Sequence, residues 1–176
     1  NNGGGNMPVF FSTTTGIMIE TGSNYVFTFV DENASPPQVR IGTGGGTAPS
    51  GNGLLTAPLS SDTLDIPRHI RGDLYNVTEI GQKAFMGYSI DELVLHQGLV
   101  EIRANAFKNI QDITKIIIPH TVNIAAYAFS QMTPLSEVVV TVDGTTGITD
   151  YNAWLATNGS GTAKFSVLSG NITFQE

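Results

Sequence analysis

A short phrase returns at a fixed interval in the middle of this 176-residue chain, and it restricts the possible folds more than any other feature. The phrase is an Ile followed four and five positions later by Ala and Phe: Ile80–Ala84–Phe85, Ile102–Ala106–Phe107 and Ile124–Ala128–Phe129. Successive copies are 22 residues apart. Each is followed by an apolar triplet: Leu93-Val94-Leu95, Ile116-Ile117-Ile118 and Val138-Val139-Val140. A period in the low twenties with one strand-like triplet per period is the mark of a stacked solenoid. A coil that short cannot bury its own apolar face, so neighbouring coils must stack to make a core. Such an architecture presents a surface and argues against a deep catalytic cleft.

The repeat also predicts packing. Phe85, Phe107 and Phe129 should form an internal column at the strand spacing of ~4.8 Å, each burial contributing roughly 1.5–3 kcal/mol. Ile80, Ile102 and Ile124 form a second column, and Ala84, Ala106 and Ala128 are small where coils approach closely. Side chains alternate across a strand, so if Leu93 and Leu95 point inward, Val94 points out. The outward row is then Val94, Ile117 and Val139, flanked by Glu92, Lys115 and Glu137, whose charges alternate in sign as favourable cross-strand neighbours should. These six residues are the candidate partner-binding surface. Two readings stay open: an exposed apolar patch for a partner, or a strand face covered by a cap or a second subunit, as is common for parallel sheets.

The flanks read as caps for the open ends of the stack. Residues 1–7 are Gly/Asn-rich, as a flexible tether is. They suggest an exported chain trimmed after a removed segment, a surface lipoprotein acylated on an upstream Cys. Residues 8–63 form the N-terminal β cap, with short strands at Pro8–Phe11, Ile17–Glu20, Tyr25–Val30 and Gln38–Ile41. In the Gly-rich stretch Gly42–Gly53, Gly42-x-Gly44 is followed by Pro49-Ser50-Gly51 rather than by a helix, which does not suit a dinucleotide cradle, and the stretch is expected to be a flexible loop. The solenoid occupies residues 64–142, led by strands at Leu64–Pro67 and Val77–Ile80 with a turn at Arg71-Gly72-Asp73. Residues 143–176 form the C-terminal cap. They hold a helix started by Thr149 or Asp150, with Tyr151, Trp154 and Leu155 on one face, and a final hairpin of Lys164–Leu168 with Asn171–Phe174.

Written out, the segments VTEIGQKAFMGYSIDELVL, VEIRANAFKNIQDITKIIIP and VNIAAYAFSQMTPLSEVVV resemble the BspA-type leucine-rich repeat. The upstream LDIPRHIRGDLYNVTEIGQKAF looks like the usual beginning of such an array. The first copy departs by being one residue short before its triplet, and His96 stands where Pro119 closes the next one. The resemblance implies a β-rich α/β solenoid. In it a short right-handed coil carries a parallel sheet on one face and short helical or irregular segments on the other. It further implies a bacterial cell-surface or secreted protein, engaged in adhesion or in binding a protein or glycan, without enzymatic activity.

Composition narrows the partners. Fifteen acidic residues against eight basic ones give a net charge of −7 with no basic cluster, which disfavours nucleic acid and anionic lipid. No run approaches the ~20 apolar residues of a membrane span. The absence of cysteine excludes a disulfide framework, a thiolate metal site and a cysteine nucleophile. No catalytic triad order, HExxH motif or calcium-loop pattern is recognisable, and no cofactor or metal is expected. Arg71-Gly72-Asp73 spells an integrin-binding tripeptide, but Gly and Asp are also what a turn requires. His69, His96 and His120 each follow a strand, at unequal offsets from the nearest Phe, and read as surface residues rather than as a metal site.

Overall fold

The computed structural model describes residues 9–11, 17–20, 23–132, 137–142, 151–158, 164–165 and 171–175. In chain order the elements are β1 (Val9–Phe11), β2 (Met18–Glu20), β3 (Val26–Asp31), β4 (Gln38–Ile41), β5 (Thr63–Asp65), β6 (His69–Ile70) and β7 (Tyr75–Ile80). There follow β8 (Glu92–Val94), β9 (Glu101–Ile102), β10 (Lys115–Pro119), β11 (Asn123–Ile124), β12 (Glu137–Thr141), helix α1 (Tyr151–Asn158) and β13 (Asn171–Gln175). They make two sheets. The first runs β1-β2-β3-β4-β7-β9-β11, with β6 paired to β7 beside this path. The second runs β13-β12-β10-β8-β5 and is parallel throughout. Each repeat contributes one strand to each sheet, which is the arrangement of a solenoid.

Backbone hydrogen bonds between coils repeat with the period. Phe85 N–H donates to Ala106 O and Phe107 N–H to Ala128 O, both at 2.8 Å. Arg103 N–H donates to Ile80 O and Ala125 N–H to Ile102 O. Inside, the rings of Phe85 and Phe107 stack at 5.1 Å and those of Phe107 and Phe129 at 5.0 Å, close to the expected strand spacing. The Ile and Ala columns are buried with them.

The tight corner between the two strands of a coil has a backbone cost that also repeats. Lys83, Asn105 and Tyr127 have φ near +60°, and so do Asn109 and Gln131, while Gly87 holds the matching place in the first coil at φ 82°. The N–H of Ala84, Ala106 and Ala128 closes a four-residue turn on Gly81, Arg103 and Ala125. The positive φ falls at the third place of that turn, where type II geometry demands it. The one-residue shortfall of the first copy is explained here as well. Ser89 bridges Gln111 and Glu92 pairs with Lys115, so two residues face three. The extra residue of the second coil is accommodated by Asp112 at φ 64°.

One expectation is corrected. The Gly42–Gly53 stretch is fastened rather than loose. Buried Asn52 accepts from Thr43 N–H and donates to Pro49 O and Gln82 O. Gly51 and Gly53 N–H donate to Lys83 O and Ala84 O, and Tyr88 Oη donates to Gly51 O. A Cβ at Gly53 would lie 2.8 Å from Ala84 O, so only glycine brings the loop that close. At the C-terminal end β13 lies parallel to β12 as one more strand of the second sheet. Phe165 bridges Phe129 in the manner of a further coil. Ser166–Leu168 of the expected hairpin, the expected helix caps Thr149 and Asp150, and residues 1–7, expected as a tether, lie outside the described residues.

At the other end the strands β1–β4 form an antiparallel meander, and β4 continues into the repeat by pairing parallel with β7, with a register shift between Val39 and Arg40. Tyr25 closes the aromatic column edge-on against Phe85. Trp154, on α1, is buried and meets Phe174 edge-to-face at 6.0 Å.

Candidate functional site: the outer faces of the two sheets

The second sheet holds the six predicted surface residues in one register. Lys115 lies between Glu92 and Glu137, and Ile117 lies between Val94 and Val139. The facing is as the alternation predicts: Leu93, Leu95, Ile116, Ile118, Val138 and Val140 enter the core cluster, whereas Val94, Ile117 and Val139 do not. Val94 and Ile117 are partly exposed, but Val139 is only 4% exposed. Lys115 Nζ is 3.7 Å from Glu137 Oε2. Sequence reasoning stopped at three coils. On the two edge strands the register continues with Asp65 and Thr173 beside the apolar row and with Thr63 and Asn171 beside the charged row, so polar, mostly uncharged residues end both.

The first sheet carries a second polar constellation that sequence reasoning missed. Glu79, with a side chain only 6% exposed, pairs across the strands with Arg40 on one side and Glu101 on the other. Its Oε1 accepts from Arg40 Nε and Arg103 Nε, both at 3.0 Å, and its Oε2 from Arg103 Nη2 at 3.4 Å. Arg103 Nη1 reaches Glu101 at 3.4 Å. The hydrogen bond to Glu79 is the main reason the Arg103 guanidinium is held above its usual pKa. Above this network the Gly42–Gly53 loop forms the rim of a cavity of about 190 Å³, lined by Arg40, Gly44, Gly45, Glu79, Gln82 and Arg103. The local signal was slight: Glu79 and Glu101 each precede the Ile of their repeat, but nothing nearby marks Arg40 as their neighbour.

The BspA-type leucine-rich repeat region matches residues 73–154, in six copies. Residues 73–154 belong to the BspA-type leucine-rich repeat family. No curated protein and no solved structure matches the chain.

In this BspA-type array the histidines do not converge. His69 Nδ1 meets Asn76 Oδ1, His96 Nε2 meets the Asp65 carboxylate, and His120 Nδ1 meets Thr141 O. Among the described residues no group of acidic and histidine side chains is arranged to hold a metal ion. No helix among them is long and apolar enough to cross a membrane. Arg71-Gly72-Asp73 does form a turn, with Arg71 at φ 53° and Gly72 at φ 66°, and Gly72 and Asp73 are exposed. The BspA-type scaffold is generally non-catalytic and fits a protein-interaction module.

Proposed function

We propose that this is a non-catalytic surface or secreted bacterial protein that binds a protein or glycan partner through the outer face of its second sheet. The observation carrying this reading is Ile117, a large apolar side chain partly exposed on the central strand of a five-strand sheet and outside the core cluster. Partly exposed apolar side chains bordered by charges of both signs are the usual make-up of a recognition surface. Repeats of this family are characteristic of proteins displayed at or beyond the cell surface, and a lipid anchor upstream of residue 1 would place the sheet there.

Its test is binding to a glycan array and a panel of extracellular-matrix proteins, with wild type and Ile117→Glu side by side. Loss of a wild-type interaction in a folded Ile117→Glu protein is the expected result, and equal binding by both would remove the face from the account.

A second reading is favoured by one observation: Val139 is buried although it lies outside the core cluster. One chain alone covers Val139, so in that reading the row is a structural face that the chain itself closes at this end, and a second copy or domain would cover Val94 and Ile117. Light scattering distinguishes the two, because a wild-type dimer that becomes a folded monomer on Ile117→Glu substitution supports self-association.

A further inference from the structure

We propose that the cavity between the Gly42–Gly53 loop and the outer face of the first sheet is a binding site for an acidic sugar, gripped by its carboxylate or sulfate. The inference is independent of the role given to the second sheet.

The cavity is the place where cations gather in an otherwise acidic chain. Of eight basic residues, Arg40 and Arg103 line it and Lys83 sits at its rim, its Nζ donating to Gly46 O at 3.3 Å. Glu79 and Glu101 offset two of these three charges, so a surplus of one positive charge remains in a chain of net −7. Arg103 is committed: Nε and Nη2 serve Glu79, and Nη1 serves Glu101. Arg40 is not. Among the described residues it donates to Glu79 through Nε alone, which fixes the guanidinium plane and leaves both terminal nitrogens to another acceptor. A guanidinium held at Nε with its two Nη groups unused is the fork that matches a carboxylate or sulfate.

The loop is shaped around that fork. Gly44 has φ 69°, and a Cβ there would lie 2.6 Å from Arg40 Nη1, so glycine keeps the guanidinium in place and reachable. At Gly45 an added Cβ would meet nothing, which marks the open side.

The lining selects the rest of the ligand. The six residues are two guanidiniums, a carboxylate, a primary amide and two glycines, with no apolar side chain among them. An apolar or aromatic ligand gains little there, whereas ring hydroxyls find both a donor and an acceptor in the Gln82 amide. With a volume of about 190 Å³ the cavity suits one small polar unit.

The test is an amide NMR titration of the isotope-labelled protein with sodium D-glucuronate, D-glucose and sodium sulfate at constant ionic strength. Glucuronate should shift the Gly44 and Gly45 amide signals saturably, sulfate should shift them at several-fold higher concentration, and glucose should not. Arg40→Gln should weaken glucuronate binding at least tenfold. Gln82→Ala should weaken glucuronate but leave sulfate unchanged. Should Arg40→Gln fail to fold, Gly45→Asp, placing a carboxylate at the open side, must abolish binding instead. Absence of saturable shifts, or full affinity in a folded Arg40→Gln protein, overturns the site. Equal responses to sulfate and glucuronate overturn the sugar and leave only an anion site.

Discussion

The ring of Phe165 lies face to face with that of Phe129, centroids 4.6 Å and planes 1° apart, although helix α1 and more than one full period separate them in the chain. Phe129 N–H donates to Lys164 O at 2.8 Å, as Phe107 N–H donates to Ala128 O one coil earlier. The aromatic column therefore has four members, and the C-terminal segment prolongs the stack.

Position in that column should set the effect of truncation. Phe107 is sandwiched on both faces and fully buried, so Phe107→Ala should cost about 3–5 kcal/mol in urea denaturation. Phe165→Ala should cost less, and should accelerate amide exchange at Phe129 before it lowers global stability. Equal global losses for both variants would contradict a stack that frays from its end.

Tyr127 is the least suited of the residues at positive φ, being a bulky aromatic at φ 63° and 56% exposed. Left-handed backbone costs roughly 1–2 kcal/mol for an ordinary residue and little for glycine. Tyr127→Gly should therefore raise stability by about 1 kcal/mol, and Tyr127→Asn by somewhat less. Calorimetric melting of the three proteins checks the order.

Gly53 makes the opposite case. The Cβ of Gly53→Ala would meet Ala84 O at 2.8 Å and Ala84 Cβ at 3.0 Å. The loop must then lift from the first coil, breaking the Gly53 and Gly51 hydrogen bonds, at about 1–3 kcal/mol. Faster proteolysis between residues 42 and 53 should accompany the loss.

Tyr25 predicts an alkaline limit. Burial, aided by the nearby Asp65 charge, pushes its phenol up to about 12. An unfolded tyrosine ionises near ~10. The stabilisation is thus complete below pH ~10 and falls as pH rises from there toward 12, because the unfolded chain releases the proton first. Burial also raises Tyr88, so absorbance titration should show more than one late step, of which the Tyr25 step vanishes in Tyr25→Phe, whose stability should be flatter over the same range.

Replacing Glu79 by Gln would leave Arg40 and Arg103 converging on an uncharged amide. With both guanidiniums partly in solvent the loss should be about 1–3 kcal/mol. It should shrink in 1 M salt, where the repulsion is screened over ~3 Å.

What the sequence discloses here depends on distance along the chain. The 22-residue period, the Phe and Ile columns, the inward Leu93 and Leu95, and the four N-terminal strands are all written in local pattern, and all are present. The fourth coil was hidden because Ala163-Lys164-Phe165 breaks the Ala-Phe phrase and the inserted helix stretches the interval. The fastening of the Gly42–Gly53 loop depends on Asn52 finding Gln82 across the fold, and the charge network joins Arg40, Glu79 and Arg103 from three segments. No periodicity announces contacts of that kind. On the second sheet the row was legible, yet the burial of Val139 was not, because strand alternation says which way a side chain points and not what lies above it.

The left-handed residues at 83, 105 and 127 and at 87, 109 and 131 have a genetic corollary. Duplication or loss of one whole period would hand each corner to a residue already adapted to it and restore the aromatic overlap at the seam. An uncompensated insertion of another length would hand those corners to residues placed for other work, such as Ala104 and Ala126 for a shift of one or Phe107 and Phe129 for a shift of two in the opposite sense. Lineages carrying this domain should therefore differ in coil number by whole periods, with irregular insertions confined to places such as the one α1 occupies.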